Sequence, residues 1–215
     1  MLRVRTSRGA ESLRAEIVAH VADVIEEHGE AGVRIQEVAR ATDASTSAIY
    51  RFFVDRDGLI AAAQAERFAR GFSVLAQTIA PLMLASTNQA EFRDAVIVLH
   101  RAFYDTAWIP TRTTRVNVVG STLGRPALGR EIARIQDDLL ARFAGALAIA
   151  QERGWMRADV DVTSLAALTI SIGFGRVLIE LGETSASGEE WNRLAMEATL
   201  LLYFGEVPTS LSEKG

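Results

Sequence analysis

The sequence predicts an all-α chain. Three observations carry this. Apolar residues recur at helical spacing along most of the 215 residues. The only tempting strand, "TRVNVVG" from Thr114, is a single short run that cannot make a sheet. The four prolines (Pro81, Pro110, Pro126 and Pro208) fall where helices are expected to break.

The elements follow in order. Leu13, Ile17, Val21, Val24 and Ile25 form one face of a first helix, which Gly29 and Gly32 can terminate. "IQEVARAT" from Ile35 gives a short second helix with Ile35, Val38 and Ala39 facing inward. After "DAS", Ser45 can cap a third helix running to about Phe53, and Asp55 can cap a fourth. Phe92, Val96, Leu99 and Phe103 make an apolar stripe in the next. A long helix begins near Pro126 and stops at Gly154. Two more span roughly 161–181 and 188–205, joined by "GETSASG".

Composition narrows the function. The absence of cysteine excludes disulfides and thiolate metal sites, and suits a reducing cytoplasm. The start, "MLRVRTSRGAESLR", lacks the apolar stretch of a secretory signal. The segment "SLAALTISIGFGRVLIELG" from Ser164 carries Arg176 and three glycines, and so predicts a buried helix rather than a membrane span. The net charge of −4 argues against indiscriminate coating of nucleic acid. His20, His28 and His100 share no metal-binding spacing, and no phosphate loop, nucleophile elbow or dinucleotide fingerprint occurs. No metal, cofactor or enzymatic activity is expected.

Residues 45–59, "STSAIYRFFVDRDGL", carry the positive signal. Two short helices joined by a tight turn and preceded by a longer one form a helix-turn-helix unit. The start of the second short helix is slim at Ser45, Thr46, Ser47 and Ala48, which suits approach to base edges. Its far end, Ile49 and Phe53, suits anchoring in a core, and Tyr50 and Arg51 can reach phosphate.

Residues 33–59, "VRIQEVARATDASTSAIYRFFVDRDGL", resemble the DNA-binding signature of TetR-family transcriptional regulators. The matching features are Val38-Ala39, Ser45 after the turn, Ile49-Tyr50-Arg51 with Phe53, and Asp55-Arg56 followed by Leu59. "ERGWMRADVD" from Glu152 resembles the link before the last two helices in such proteins. Asp43 departs from the usual turn glycine, Phe52 from a polar ring and Val54 from a common proline. Arg34 replaces a Ser or Thr cap and offers a phosphate contact, and Arg56 replaces a lysine. Residues 1–58 hold eight Arg against ten acids, a net −2, with Asp23, Glu26, Glu27 and Glu30 expected to lie away from DNA.

The resemblance implies a helix-turn-helix DNA-binding domain over 1–55 and a helical ligand-binding and dimerisation domain over 56–207. It assigns DNA contact to Arg34, Ser45, Thr46, Ser47, Tyr50, Arg51 and Arg56. In the second domain Phe72, His100, Phe103, Tyr104, Trp108, Arg112 and Asn117 are candidates for contact with a small amphipathic molecule. His100 reads equally as a satisfied core histidine, and the arginines as solvent-facing. Leu168, Ile172, Gly175, Trp191, Leu194, Ala198 and Leu201 are candidates for a two-fold dimer interface, with Gly173 a further close-packing glycine. The expected protein is a cytoplasmic, ligand-responsive homodimer on operator DNA, a repressor released by its ligand. The competing reading is a small-molecule-binding or scaffold protein whose helix-turn-helix does not bind DNA.

Overall fold

A computed structural model describes residues 2–182 and 188–205, with side chains except at 2–8 and 72–80. Among the described residues there are nine α-helices, two 3-10 turns and no strand. They are α1 (Leu2–His28), α2 (Ile35–Ala41), α3 (Thr46–Phe53), α4 (Arg56–Ala85) and α5 (Gln89–Tyr104). α6 (Ile109–Ser121), α7 (Pro126–Glu152), α8 (Val162–Glu180) and α9 (Gly188–Phe204) complete the set. "TRVNVVG" lies within α6.

The predicted caps form. Ser45 Oγ accepts from the Ala48 amide at 3.1 Å, and the Asp55 carboxylate accepts from the Gly58 amide at 2.7 Å. Arg34 makes no cap bond at the start of α2. At α5, Asn88 accepts from the Glu91 amide while the Glu91 carboxylate accepts from the Thr87 amide, which satisfies donors at both places.

The chain divides into two compact units, 1–70 with 117–133, and 71–116 with 134–215. In the first, Ile17, Val21 and Ile25 of α1 pack with Val38, Ile49, Phe53, Leu59 and Ile60 in one core. In the second, Phe92, Val96, Leu99 and Phe103 of α5 pack with Leu147, Leu165, Ala166 and Tyr203. The apolar stripes of α1 and α5 therefore each found a core.

One predicted break does not occur. α4 runs through Pro81 to Ala85. A proline inside a helix forfeits one backbone bond, but the remaining turn is held by burial of Met83 in the second core. Pro110 and Pro126 do fall in first turns, where no bond is lost, and Pro208 lies outside the described residues.

Two links are strained, the one between α2 and α3 and the one between α3 and α4. Asp43 adopts φ 47° in the helix-turn-helix turn, at a position the sequence already marks as costly. Val54 adopts φ 60° and ψ −57°, and the Asp55 amide donates to the Phe53 carbonyl at 2.5 Å, which makes a γ-turn centred on a β-branched residue. Gly58 completes the turn: a Cβ there would lie 2.3 Å from the Phe53 carbonyl oxygen. Because Val54 is almost fully exposed, nothing in its packing offsets the strain. Val54→Gly is expected to stabilise the protein by about 1 kcal/mol, read as a raised urea midpoint. A lowered midpoint would show that the turn is unstrained.

Candidate functional site

The first unit presents a polar edge. Ser45, Thr46 and Ser47 are exposed at the start of α3, while Ile49 and Phe53 at its other turns are buried. Ser45 Oγ also contacts Ser47 Oγ at 2.9 Å, which fixes the cap and its neighbour together. A shallow groove of about 470 Å³ runs beside them, lined by Arg34, Ile35, Gln36, Glu37, Arg40, Thr46 and Tyr50. Arg34 is exposed and contacts Glu37 at 3.4 Å. Arg40 belongs to this groove and is absent from the sequence-based set. Its signal was an arginine two places before the turn, on the α2 face opposite Val38 and Ala39.

Arg51 and Phe52 explain each other. The Arg51 guanidinium lies 5.3 Å over the Phe52 ring, and Phe52 meets Phe53 edge-on at 6.0 Å. The aromatic departure at Phe52 thus supports a neighbouring cation. Arg56 is different: its Nε donates to the Val33 carbonyl at 2.9 Å and its terminal nitrogen to the Glu30 carbonyl at 2.5 Å. Two of its donors tie the start of α4 to the turn after α1, while the residue remains exposed.

The acids of this unit are met by arginines beyond residue 58. Asp23 pairs with Arg70 at 2.6 Å, Glu26 with Arg67 at 2.5 Å, and Glu30 takes a bidentate contact from Arg125. Arg125 also holds Asp57 at 2.9 Å, and this fork keeps the Glu30 carboxyl below its ordinary range, assisted by Gln64. The negative balance of residues 1–58 is therefore offset within the same unit.

The second unit gathers an aromatic and ionic cluster from α5, α6, α8 and α9. His100 meets Tyr104 at 4.4 Å between ring centroids, and Tyr104 meets Trp191 edge-on at 4.8 Å. Arg112 grips Glu180 with two nitrogens and donates to the carbonyls of Phe103 and Asp105. Arg176 Nε lies 3.5 Å from the same carboxylate. Arg115 stacks 4.0 Å over the Phe174 ring, and burial lowers its pKa to about 9.

Of the sequence-predicted ligand residues, His100, Phe103, Tyr104 and Arg112 are brought together here, with Trp108 half-buried against the same core. Asn117 is exposed and belongs to the first unit. The Phe72 side chain lies outside the described residues. Trp191 and Arg176 join the cluster unannounced, because contacts between distant helices leave no mark in local spacing.

His100 is a core histidine. Thr199 donates its hydroxyl to the Ala195 carbonyl, so His100 Nδ1 must donate to Thr199 Oγ, 3.1 Å away. Nε2 is then bare, and a carbonyl of Asn192 at 3.4 Å offers it only a weak reward for protonation. Burial dominates and pulls the pKa down to about 4. A histidine depressed in the folded state binds its proton more readily when unfolded. Stability is therefore intact above pH 6.5 and falls towards pH 4, by an amount on the order of 2–3 kcal/mol. His100→Gln should flatten this limb of a pH–stability curve, and an unchanged limb would place the titration elsewhere.

α8 is apolar enough in length and composition to cross a membrane, and only 33% of its most apolar window is buried. Leu168 is exposed, and Leu178 and Leu181 are 74% and 75% exposed. Leu194 and Leu201 of α9 are exposed too, with Ile172 and Ala198 half-buried. A Cβ on Gly175 would meet nothing within 4 Å. Gly173 differs, since a Cβ there would lie 3.3 Å from Phe103, making it an intrachain packing glycine. Trp191, half-buried, meets Tyr104 edge-on in the aromatic cluster.

Residues 17–63 match the sequence model of the family described as bacterial regulatory proteins, tetR family. No curated protein sequence matches the chain. A solved structure described as a TetR-family transcriptional regulator of Mesorhizobium loti MAFF303099 is similar, with TM-score 0.66 and 18% identity, covering 91% of this chain and 98% of that one. Salmonella enterica GusR is similar at TM-score 0.61 and 19% identity, over 89% and 95% of the two chains. A transcriptional regulator of Saccharomonospora viridis in complex with choline follows at 0.57 and 14%, over 91% and 96%. Residues 17–63 thus match the N-terminal domain of the tetR family of bacterial regulatory proteins, and the chain shares the helical fold of these solved structures.

Proposed function

We propose that the protein is a cytoplasmic homodimeric repressor that binds operator DNA and is released by a small amphipathic effector. The observation that carries the reading is the polarity of α3, slim and exposed at Ser45–Ser47 and buried at Ile49 and Phe53. In this reading residues 1–55 read DNA and residues 56–207 bind effector and partner. Thr46 and Ser47 face base edges, with Ser45 capping the helix that presents them. Arg34, Arg40, Tyr50 and Arg51 hold phosphates and set the register. Selection from a random DNA pool tests it, and a two-fold motif with half-sites about one helical turn apart, or a multiple of that, is expected. No enrichment would favour a scaffold whose helix-turn-helix is idle.

The dimer is placed on the exposed leucines of α8 and α9. Scattered exposed leucines are ordinary, but four on two adjacent helices, with Leu181 at the C-cap of α8, suit a buried four-helix seam. Gly175→Leu separates this from a purely intrachain role. Open space around Gly175 leaves the folded monomer unharmed, whereas in a seam the added bulk costs about 1–3 kcal/mol. Sedimentation of the helical mutant should show more monomer, and an unchanged dimer would move the interface.

A further inference from the structure

Two buried polar atoms in the α5–α8–α9 cluster have no hydrogen-bond partner, Nε of Arg176 and Oδ1 of Asn192. Arg176 is only 8% exposed. Its contacts are long: 3.5 Å from Nε to Glu180, and 3.4 Å from a terminal nitrogen to the Gly188 carbonyl. The shorter claim on Glu180 belongs to Arg112, which engages both carboxylate oxygens. A guanidinium stays protonated in proteins, so two cations share one carboxylate and leave a net +1 in a buried place.

The guanidinium lies close against the start of α9, where a Cβ on Gly188 would come within 2.7 Å of its terminal nitrogen. The guanidinium also lies 5.1 Å over the Trp191 ring, which meets Tyr104 edge-on at 4.8 Å. A buried cation with spare donors, flanked by apolar faces, is short of an anion. An orphan amide oxygen nearby is short of a donor.

We infer that the effector is an organic monoanion: a carboxylate taken by Arg176, an apolar body against Trp191 and Tyr104, and a hydroxyl or N–H for Asn192. This rests on the reading that the second unit binds a small effector. It also sets the chain apart from its similar structure with choline, a cation.

The test titrates the full chain with salicylate, benzoate and decanoate, with the three matching amides, and with choline. Thermal shift and tryptophan fluorescence report binding, and operator affinity is measured alongside. At least one carboxylate should stabilise the protein, with its amide about a hundredfold weaker, since a charged partner is lost. Arg176→Gln should weaken the carboxylate by a similar factor, and Arg176→Lys should weaken it less. Circular dichroism verifies that each variant is folded, and the acid–amide comparison on the unaltered chain needs no variant at all. Equal binding of acid and amide, no response to any carboxylate, or indifference to Arg176→Gln in a folded variant would overturn the inference. If amides or choline bind and change operator affinity, the effector reading stands and only the anion falls. If a carboxylate binds at Arg176 without changing operator affinity, the site stands and the effector reading falls.

Discussion

Glu180→Gln is expected to cost about 3–5 kcal/mol of folding free energy, because it leaves two buried guanidiniums with no counter-charge. Glu180 is the carboxylate that both Arg112 and Arg176 approach, and its side chain is 11% exposed. At the surface the same pair would contribute about 1 kcal/mol or less, so burial decides the size of the effect. Arg112 has the carbonyls of Phe103 and Asp105 to fall back on, whereas Arg176 has a long contact to the Gly188 carbonyl and the face of Trp191. Most of the penalty should therefore sit on Arg176. Removing that cation as well, in Glu180→Gln with Arg176→Met, should recover part of the loss. Urea unfolding of the two variants reads the difference. A single mutant within 1 kcal/mol of the parent, an estimate typical of exposed pairs, would mean that solvent reaches this network.

Phe53→Ala is expected to cost about 3–5 kcal/mol, the usual range for emptying a buried aromatic site. Phe53 is 5% exposed at the end of α3, with Phe52 edge-on and the Arg14 guanidinium 5.2 Å over its ring. The core around it is small and draws on α1, α2, α3 and the start of α4. A cavity here loosens the end of the helix that holds Ser45–Ser47 in place. Operator binding should be lost while most helical signal remains, since the second core contains no residue from α1 to α3. Undiminished DNA affinity with an unchanged melting curve would remove Phe53 from its anchoring role.

These residues differ in how far the sequence announced them. The α1 stripe, the Ser45 and Asp55 caps and the α5 stripe are local patterns, complete within a few turns, and each forms as expected. Val54 belongs to a local pattern as well, but a valine at positive φ contradicts its own preference, so only the backbone reveals the γ-turn. Pro81 misled for the opposite reason: tertiary burial of Met83 outweighs a local breaker. Arg56 has the exposure of a DNA contact and the bonding of a tie, and its partners lie 23 and 26 residues away. The Arg112–Glu180 pair spans 68 residues, and no periodicity links positions that far apart.

The central claim is that the slim edge of α3 chooses the sequence while neighbouring arginines hold the phosphates. Anisotropy binding to a selected operator and to single-base variants, across a salt series, tests it most directly. Arg51→Ala should weaken every DNA alike and flatten the log–log salt dependence by about one unit. Thr46→Ala and Ser47→Ala should keep the slope and alter the ranking of base variants, by about 1–3 kcal/mol at the contacted pair. A ranking unmoved by Thr46 and Ser47 substitutions, with the slope unmoved by Arg51→Ala, would contradict the account.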